Sequence, residues 1–232
     1  MKIQAMAKRM LWAVVVMSVA RGGLAAPAKA LPESSSADGV GLTVKVGTLG
    51  LGAEVTLGLN DYVGVRLGGN QFNYSESRSG EDGTVYGDLE LLTYSALLDI
   101  HPFGEGFRLS GGAMLNKNRI KLSADVNKTV ELDGQEYWLS DLEGAVTFNE
   151  MAPYAGIGYG NAVGADGRWH FSCDFGVMFQ GSPKVDASAT ASDPEMQPVV
   201  DEALAKEEAK AQDDAEPYKY YPVISIGLSY RF

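Results

Sequence analysis

Apolar and polar residues alternate along most of this chain with a period of two, as they do in strands with two unlike faces. The stretch 220–232 (YYPVISIGLSYRF) shows the rule most plainly. Tyr220, Pro222, Ile224, Ile226, Leu228, Tyr230 and Phe232 are apolar or aromatic, and the positions between them are mostly small or polar. A tilted strand needs about 10 residues to cross a bilayer, and this one is long enough and ends on an aromatic ring. An edge strand of a soluble sandwich is the competing reading.

The same alternation recurs upstream. Val40, Leu42, Val44 and Val46 share one face; the phase then slips by one residue across 47–50, and Leu49, Leu51, Ala53, Val55, Leu57 and Leu59 follow. Such a slip marks a tight hairpin. Trp169, Phe171, Cys173, Phe175, Val177 and Phe179 form the cleanest apolar face. Strand 85–100 carries leucines in both phases, so its facing stays open. Eight strands are expected, at about 40–47, 49–59, 62–73, 85–100, 106–118, 144–160, 168–180 and 220–232. The short turns at 60–61, 101–106 and 161–167 fall on the side that holds both strand ends of the set. Connections on the other side are mostly long, at about 74–84, 119–143 and 181–219, as outer-membrane barrels require.

Two of those long loops carry their own signals. Asp133-Gly134 predicts a hairpin turn inside 119–143, which reads as the two neighbouring strands prolonged beyond the membrane. In the last loop Met196, Val199, Val200, Ala203 and Leu204 recur at helical spacing, with Asp193 as N-cap and Pro194 at the first helical position. Nine acidic residues against two lysines over 193–216 give this helix the wrong polar face for an anionic membrane surface. It is expected over the barrel mouth or in solvent. The fold class is therefore all-β: an eight-stranded antiparallel transmembrane β-barrel over 40–232, with a short amphipathic helix in the last long external loop.

The amino terminus changes where that barrel should be found. Lys2, Lys8 and Arg9 precede an apolar run at 10–20, and Ala28-Lys29-Ala30 offers a cleavage site, so residues 1–30 read as a signal peptide. Cleavage after Ala26 is second choice, because it leaves Pro27 at the cut. Residues 31–39 are a polar tether. Cleavage leaves 202 of the 232 residues and removes five basic residues and no acidic one, taking the net charge from −11 to −16. So acidic a chain excludes nucleic acid as a partner. Cys173 is the single cysteine and forms no internal disulfide. No stretch after residue 30 is long and apolar enough for a spanning helix, so a membrane location demands a closed barrel. The expected location is the cell outer membrane.

Parity then sorts the side chains. Leucine, valine and phenylalanine face lipid, with Phe107, Tyr159, Trp169 and Phe232 as a periplasmic aromatic girdle. Lys45, Glu54, Arg66, Arg108, Arg168, His170 and Asp174 face the lumen, joined by Glu90 if its strand is so turned. In so narrow a lumen the carboxylates must pair with arginines. His170, Ser172 and Asp174 hold the residue types of a hydrolase triad, but two-residue steps place neighbours about 7 Å apart; hydrogen-bond reach is about 3 Å. A polar lumen network is the better account. His101 reads as a turn residue, and Cys173 as a small lipid-facing filler. Two histidines and one cysteine without ligand spacing predict no zinc site, and nothing predicts a cofactor.

The stretches GTLGLGAE (47–54), VRLGGN (65–70), LLDIHPF (97–103), FRLSGG (107–112), APYAGIGYGNA (152–162), FQGSP (179–183) and YPVISIGLSYRF (221–232) resemble, in this order, the eight-stranded outer-membrane barrels of the OmpA, OmpW and opacity-protein kind. The resemblance is greatest to a widespread proteobacterial group of such barrels. It implies assembly by the outer-membrane insertion machinery, which in such families reads the terminal aromatic strand, here Tyr230 and Phe232. It implies outer-membrane lipid and lipopolysaccharide as surroundings, a monomer, and no reaction. The expected function is a non-catalytic structural or surface-interaction barrel with an external partner that the sequence leaves unnamed. The alternatives are a narrow channel for small solutes and, behind it, a lipid-modifying enzyme.

Overall fold

The computed structural model describes residues 39–80, 83–103, 106–163 and 167–232, so the expected signal peptide and all but the last residue of the tether lie outside the described residues. Eleven strands form one antiparallel sheet: β1 (Val40–Gly47), β2 (Gly50–Asn60), β3 (Val63–Gly80), β4 (Gly83–Ile100), β5 (Phe107–Asn116), β6 (Arg119–Leu132), β7 (Gln135–Thr147), β8 (Met151–Tyr159), β9 (Trp169–Phe179), β10 (Lys184–Ala191) and β11 (Tyr220–Arg231). Eight of them close a barrel in the order β1, β2, β3, β4, β5, β8, β9, β11. Closure comes from pairing of β1 with β11 and leaves the barrel no unpaired edge.

Side chains sort by parity as the sequence predicts. Val44, Leu51, Leu67, Leu98, Ile157, Phe171, Phe175 and Ile226 stand exposed on the outer wall, Phe171 to 61%. A belt this apolar has no stable place in water; it is the surface of a protein solvated by hydrocarbon. Phe107, Tyr159, Trp169 and Phe232 lie at the end of the barrel where β1 begins, here the near end. There Trp169 meets Tyr230 edge-on at 5.0 Å, and Tyr230 meets Phe232 at 5.2 Å.

Strand β4 is forked, which the sequence did not disclose. Its lower half pairs with β5 through Thr93 to Ile100, while its upper half, Thr84 to Glu90, pairs with β6. Asn116, Lys117 and Asn118 make the corner between the two partners. The Lys117 amide donates to the Leu92 carbonyl, and the Asn118 side chain accepts from the Leu92 amide, so the backbone of β4 is satisfied across the fork.

The 119–143 segment therefore does not prolong β5 and β8. It is a separate hairpin, β6–β7, turned by Asp133 and Gly134 at positive φ, that adds to β4 and is followed by β10. Residues expected as a loop at 74–84 instead continue β3 and β4 to Gly80 and Gly83. Together these strands form a sheet rising from one flank of the far end, hereafter the platform. A helix, α1 (Gln197–Ala215), lies against its β10 side. Val200, Ala203 and Leu204 of α1 are buried against Leu132, Leu139, Ala189 and Ala191, so the helix sits on the platform, neither over the mouth nor in solvent. Met196 and Val199, read from spacing as part of the buried stripe, remain exposed. Asp193 caps the short turn that precedes α1, accepting from the Glu195 amide.

Candidate functional site

The lumen gathers the chain's buried charges. Lys45 on β1 pairs with Glu54 on β2, and Glu54 also meets Arg66 on β3 at 3.2 Å. Arg66 reaches Asp99 on β4 at 2.9 Å and Asp174 on β9 at 3.2 Å. Arg108 on β5 binds Asp174 at 2.7 Å and also donates to the Gly160 carbonyl. Ser110 donates to Asp99 at 2.6 Å, and Ser225 on β11 donates to Asp174 at 3.3 Å. Three cations thus balance three carboxylates, each almost fully buried, and the belt ties together every barrel strand except β8. Compensation of this kind is what makes six charges tolerable in a space without bulk water.

Five residues expected in the lumen network (Lys45, Glu54, Arg66, Arg108 and Asp174) meet here. Arg168 and His170 do not join the belt: Arg168 donates to the Tyr230 hydroxyl, and the His170 ring contacts the Gly167 carbonyl, both at the near end. Asp99 was missed because its strand read equally well in both phases. The structure resolves that ambiguity, since Thr93, Ser95, Leu97 and Asp99 face inward, with Tyr94, Leu98 and Ile100 outward. Leucine at 97 inside and at 98 outside is what blurred the pattern. Glu90 lies on the outer face above the fork, paired with Arg119 and Lys121.

Above the belt, toward the far end, the lumen is apolar. Leu97, Met114, Tyr154, Met178 and Val223 pack together with Leu49 and Ala152, and Met178 is 0% exposed. Tyr154 lies flat across Gly156 and Gly176, where a methyl group would fall within 2.5 Å of its hydroxyl. Above them Asn116 and Gln180 are joined at 3.3 Å, both buried. Below the belt, Ala162 of the β8–β9 turn is tucked inside, 2.6 Å from where a side chain at Gly41 would begin. Between that turn and the belt is a cavity of about 10 Å³, room for about one water. His101 lines it from the connection between β4 and β5, where it was expected, and at 5% exposure its side chain is buried in the lumen.

Asp174 is committed to two arginines and Ser225, and His170 to a backbone carbonyl, so the trio His170, Ser172 and Asp174 does not assemble a relay. Among the described residues no three His, Cys, Asp or Glu side chains are grouped as metal ligands.

No family model and no curated protein matches the chain. Among solved structures, Acinetobacter baumannii CarO2 is 24% identical with a TM-score of 0.54, over 85% of this chain and all of that one. Acinetobacter baumannii CarO is 24% identical with a TM-score of 0.55, over 84% of this chain and 98% of that one. The likeness is one of fold.

Proposed function

We propose that this chain is an outer-membrane barrel of the OmpA/OmpW kind, exported by a cleaved leader, monomeric and non-catalytic, whose work is done by the platform it holds outside the cell. The filled lumen carries this reading. The belt of six buried charges lies beneath a layer in which Met114 and Met178 are 1% and 0% exposed, so side chains occupy the lumen at both levels. The ordered mass beyond the apolar belt is instead a five-stranded sheet with a helix packed on it, more than a short barrel needs to span a membrane.

Single-channel recording of refolded residues 31–232 in a planar bilayer tests this reading, with folding verified by the mobility shift between unheated and boiled samples. No conductance steps are expected. Discrete steps that change in Arg108→Ala would replace this reading with the narrow-channel one.

A further inference from the structure

The outer wall above the apolar belt is not uniformly acidic. Leu115, Lys117, Arg119 and Lys121 follow one another at two-residue steps on the outward face of β5, its corner and β6. Leu115 is in register with Tyr94 and Met151, and all three are exposed apolar residues at the top of the belt. Each step outward advances about 7 Å, so Lys117 and Arg119 stand at the height where hydrocarbon gives way to headgroups. Arg119 is in register with Thr147, and Thr147 with Lys184, which places Lys184 about 10 Å away on the same face. The row through Glu90, Arg119, Thr147 and Lys184 carries one carboxylate, which grips Arg119 and Lys121, and the next row outward, through Asp88, Lys121, Ala145 and Asp186, carries two more, so the cationic character is greatest at the lower edge, nearest the apolar belt. In a chain expected to carry −16, four cations thus stand on one flank, Arg119 and Lys184 in one row, Lys117 a step below it and Lys121 a step above.

We propose that this flank is a binding site for the phosphate groups of a phosphorylated outer-leaflet lipid such as lipid A, with Lys117, Arg119, Lys121 and Lys184 as the recognising cations. Acyl chains would lie along Leu115, Tyr94 and Met151 while the phosphates meet the cations, and Glu90 holds the heads of two of those cations in place. Juxtamembrane cations gain from anionic headgroups additively. The inference rests on the outer-membrane reading.

The test uses refolded residues 31–232 in detergent and in phosphatidylcholine vesicles, titrated with diphosphorylated lipid A and with its dephosphorylated form. Bound lipid is counted by native mass spectrometry. Diphosphorylated lipid A is expected to be retained, and the variant Lys117→Ala, Arg119→Ala, Lys121→Ala, Lys184→Ala to lose at least about tenfold in affinity. Should that variant not fold, a charge-preserving set (Lys117→Arg, Arg119→Lys, Lys121→Arg, Lys184→Arg) must still prefer the diphosphorylated form, and rising salt must erase the preference. Equal retention of both lipids, or by the alanine variant, overturns the proposal. Displacement of lipid A by millimolar inorganic phosphate overturns it too, because the ligand would then be a free anion. Failure of the protein to insert into vesicles at all would strike the membrane reading itself, and this site with it.

Discussion

Arg66 is the side chain on which the lumen turns. It contacts Glu54, Asp99 and Asp174, one partner on each of three other strands, and it is 4% exposed. Removing one member of a buried charge set leaves the others uncompensated, at a cost of about 3–5 kcal/mol. Arg66→Ala is therefore expected to lower the stability of the refolded barrel by about that much in guanidinium unfolding. The paired variant Arg66→Met, Asp99→Leu should recover part of the loss, because it removes a cation and a carboxylate together. No recovery would mean the belt is held by shape and not by charge. A smaller effect belongs to Gly176, whose missing side chain makes room for the Tyr154 ring. Gly176→Ala overpacks the apolar layer and should cost about 1–3 kcal/mol, and Tyr154→Leu in the same chain should relieve most of it. Most lumenal charges were legible from parity alone, because a strand with one lipid face has nowhere else to put them. Asp99 was not, since an inward Leu97 beside an outward Leu98 makes both phases look apolar.

The platform is held together differently. Its free edge is β10, and an exposed strand edge invites pairing with other chains. Here α1 covers that edge with side chains. The Val185 amide donates to Gln212, the Ala187 amide to Glu208 and the Ala191 amide to Gln197, while Gln197 also donates to the Ala189 carbonyl. Replacing Gln197, Glu208 and Gln212 by alanine should speed hydrogen exchange at Val185, Ala187 and Ala191 while leaving β1 amides protected. Farther along, Lys206 and Lys210 clip α1 to the β6–β7 turn through Asp133. The Lys210 hydrogen bond, then its charge and that of Lys206, hold the Asp133 carboxyl below its usual range, while partners on both sides raise the two lysines. A lowered carboxyl stabilises docking above its unfolded pKa of about 3.9, and that contribution is lost as pH falls through the lower folded value. Raised lysines stabilise docking below about pH 10.4, and theirs is lost as pH rises through the higher folded values. Protease cleavage within α1 should therefore be slowest between about pH 4 and 10, and faster in high salt, which screens exposed pairs. Spacing found this helix but not its seat, and Asp193, expected as its cap, caps instead the short turn before it. Five of its apolar positions fit one stripe, yet only contact with β10 decides which of them are buried.

At the scale of the whole molecule there are two cores that do not touch. One fills the lumen around Met114 and Met178; the other lies between α1 and the platform around Leu132, Leu139 and Val200. The eight barrel strands could be counted from sequence because all but β4 repeat the same lipid-facing alternation, and β4 is bounded by turn signals on both sides. The fork in β4 could not be, since pairing of β6 with β4 instead of β5 leaves no trace in periodicity. Barrel closure by β1 with β11 and by the lower half of β4 with β5 uses none of β6, β7 or β10. The platform, in contrast, has a small core partly made of alanines and an edge held by side-chain bonds, so it should open at lower denaturant than the barrel. The chain's tryptophans allow each part to be followed alone: Trp12 lies in the expected leader, Trp138 on β7 of the platform and Trp169 on β9 of the barrel. In refolded residues 31–232, Trp169→Phe leaves fluorescence to report the platform, and Trp138→Phe leaves it to report the barrel. The platform transition should come first, with the boiled-sample mobility shift following only the second. Coincident transitions would mean that the upper half of β4 couples the two cores into one cooperative unit, and the platform would then be part of what keeps the barrel closed.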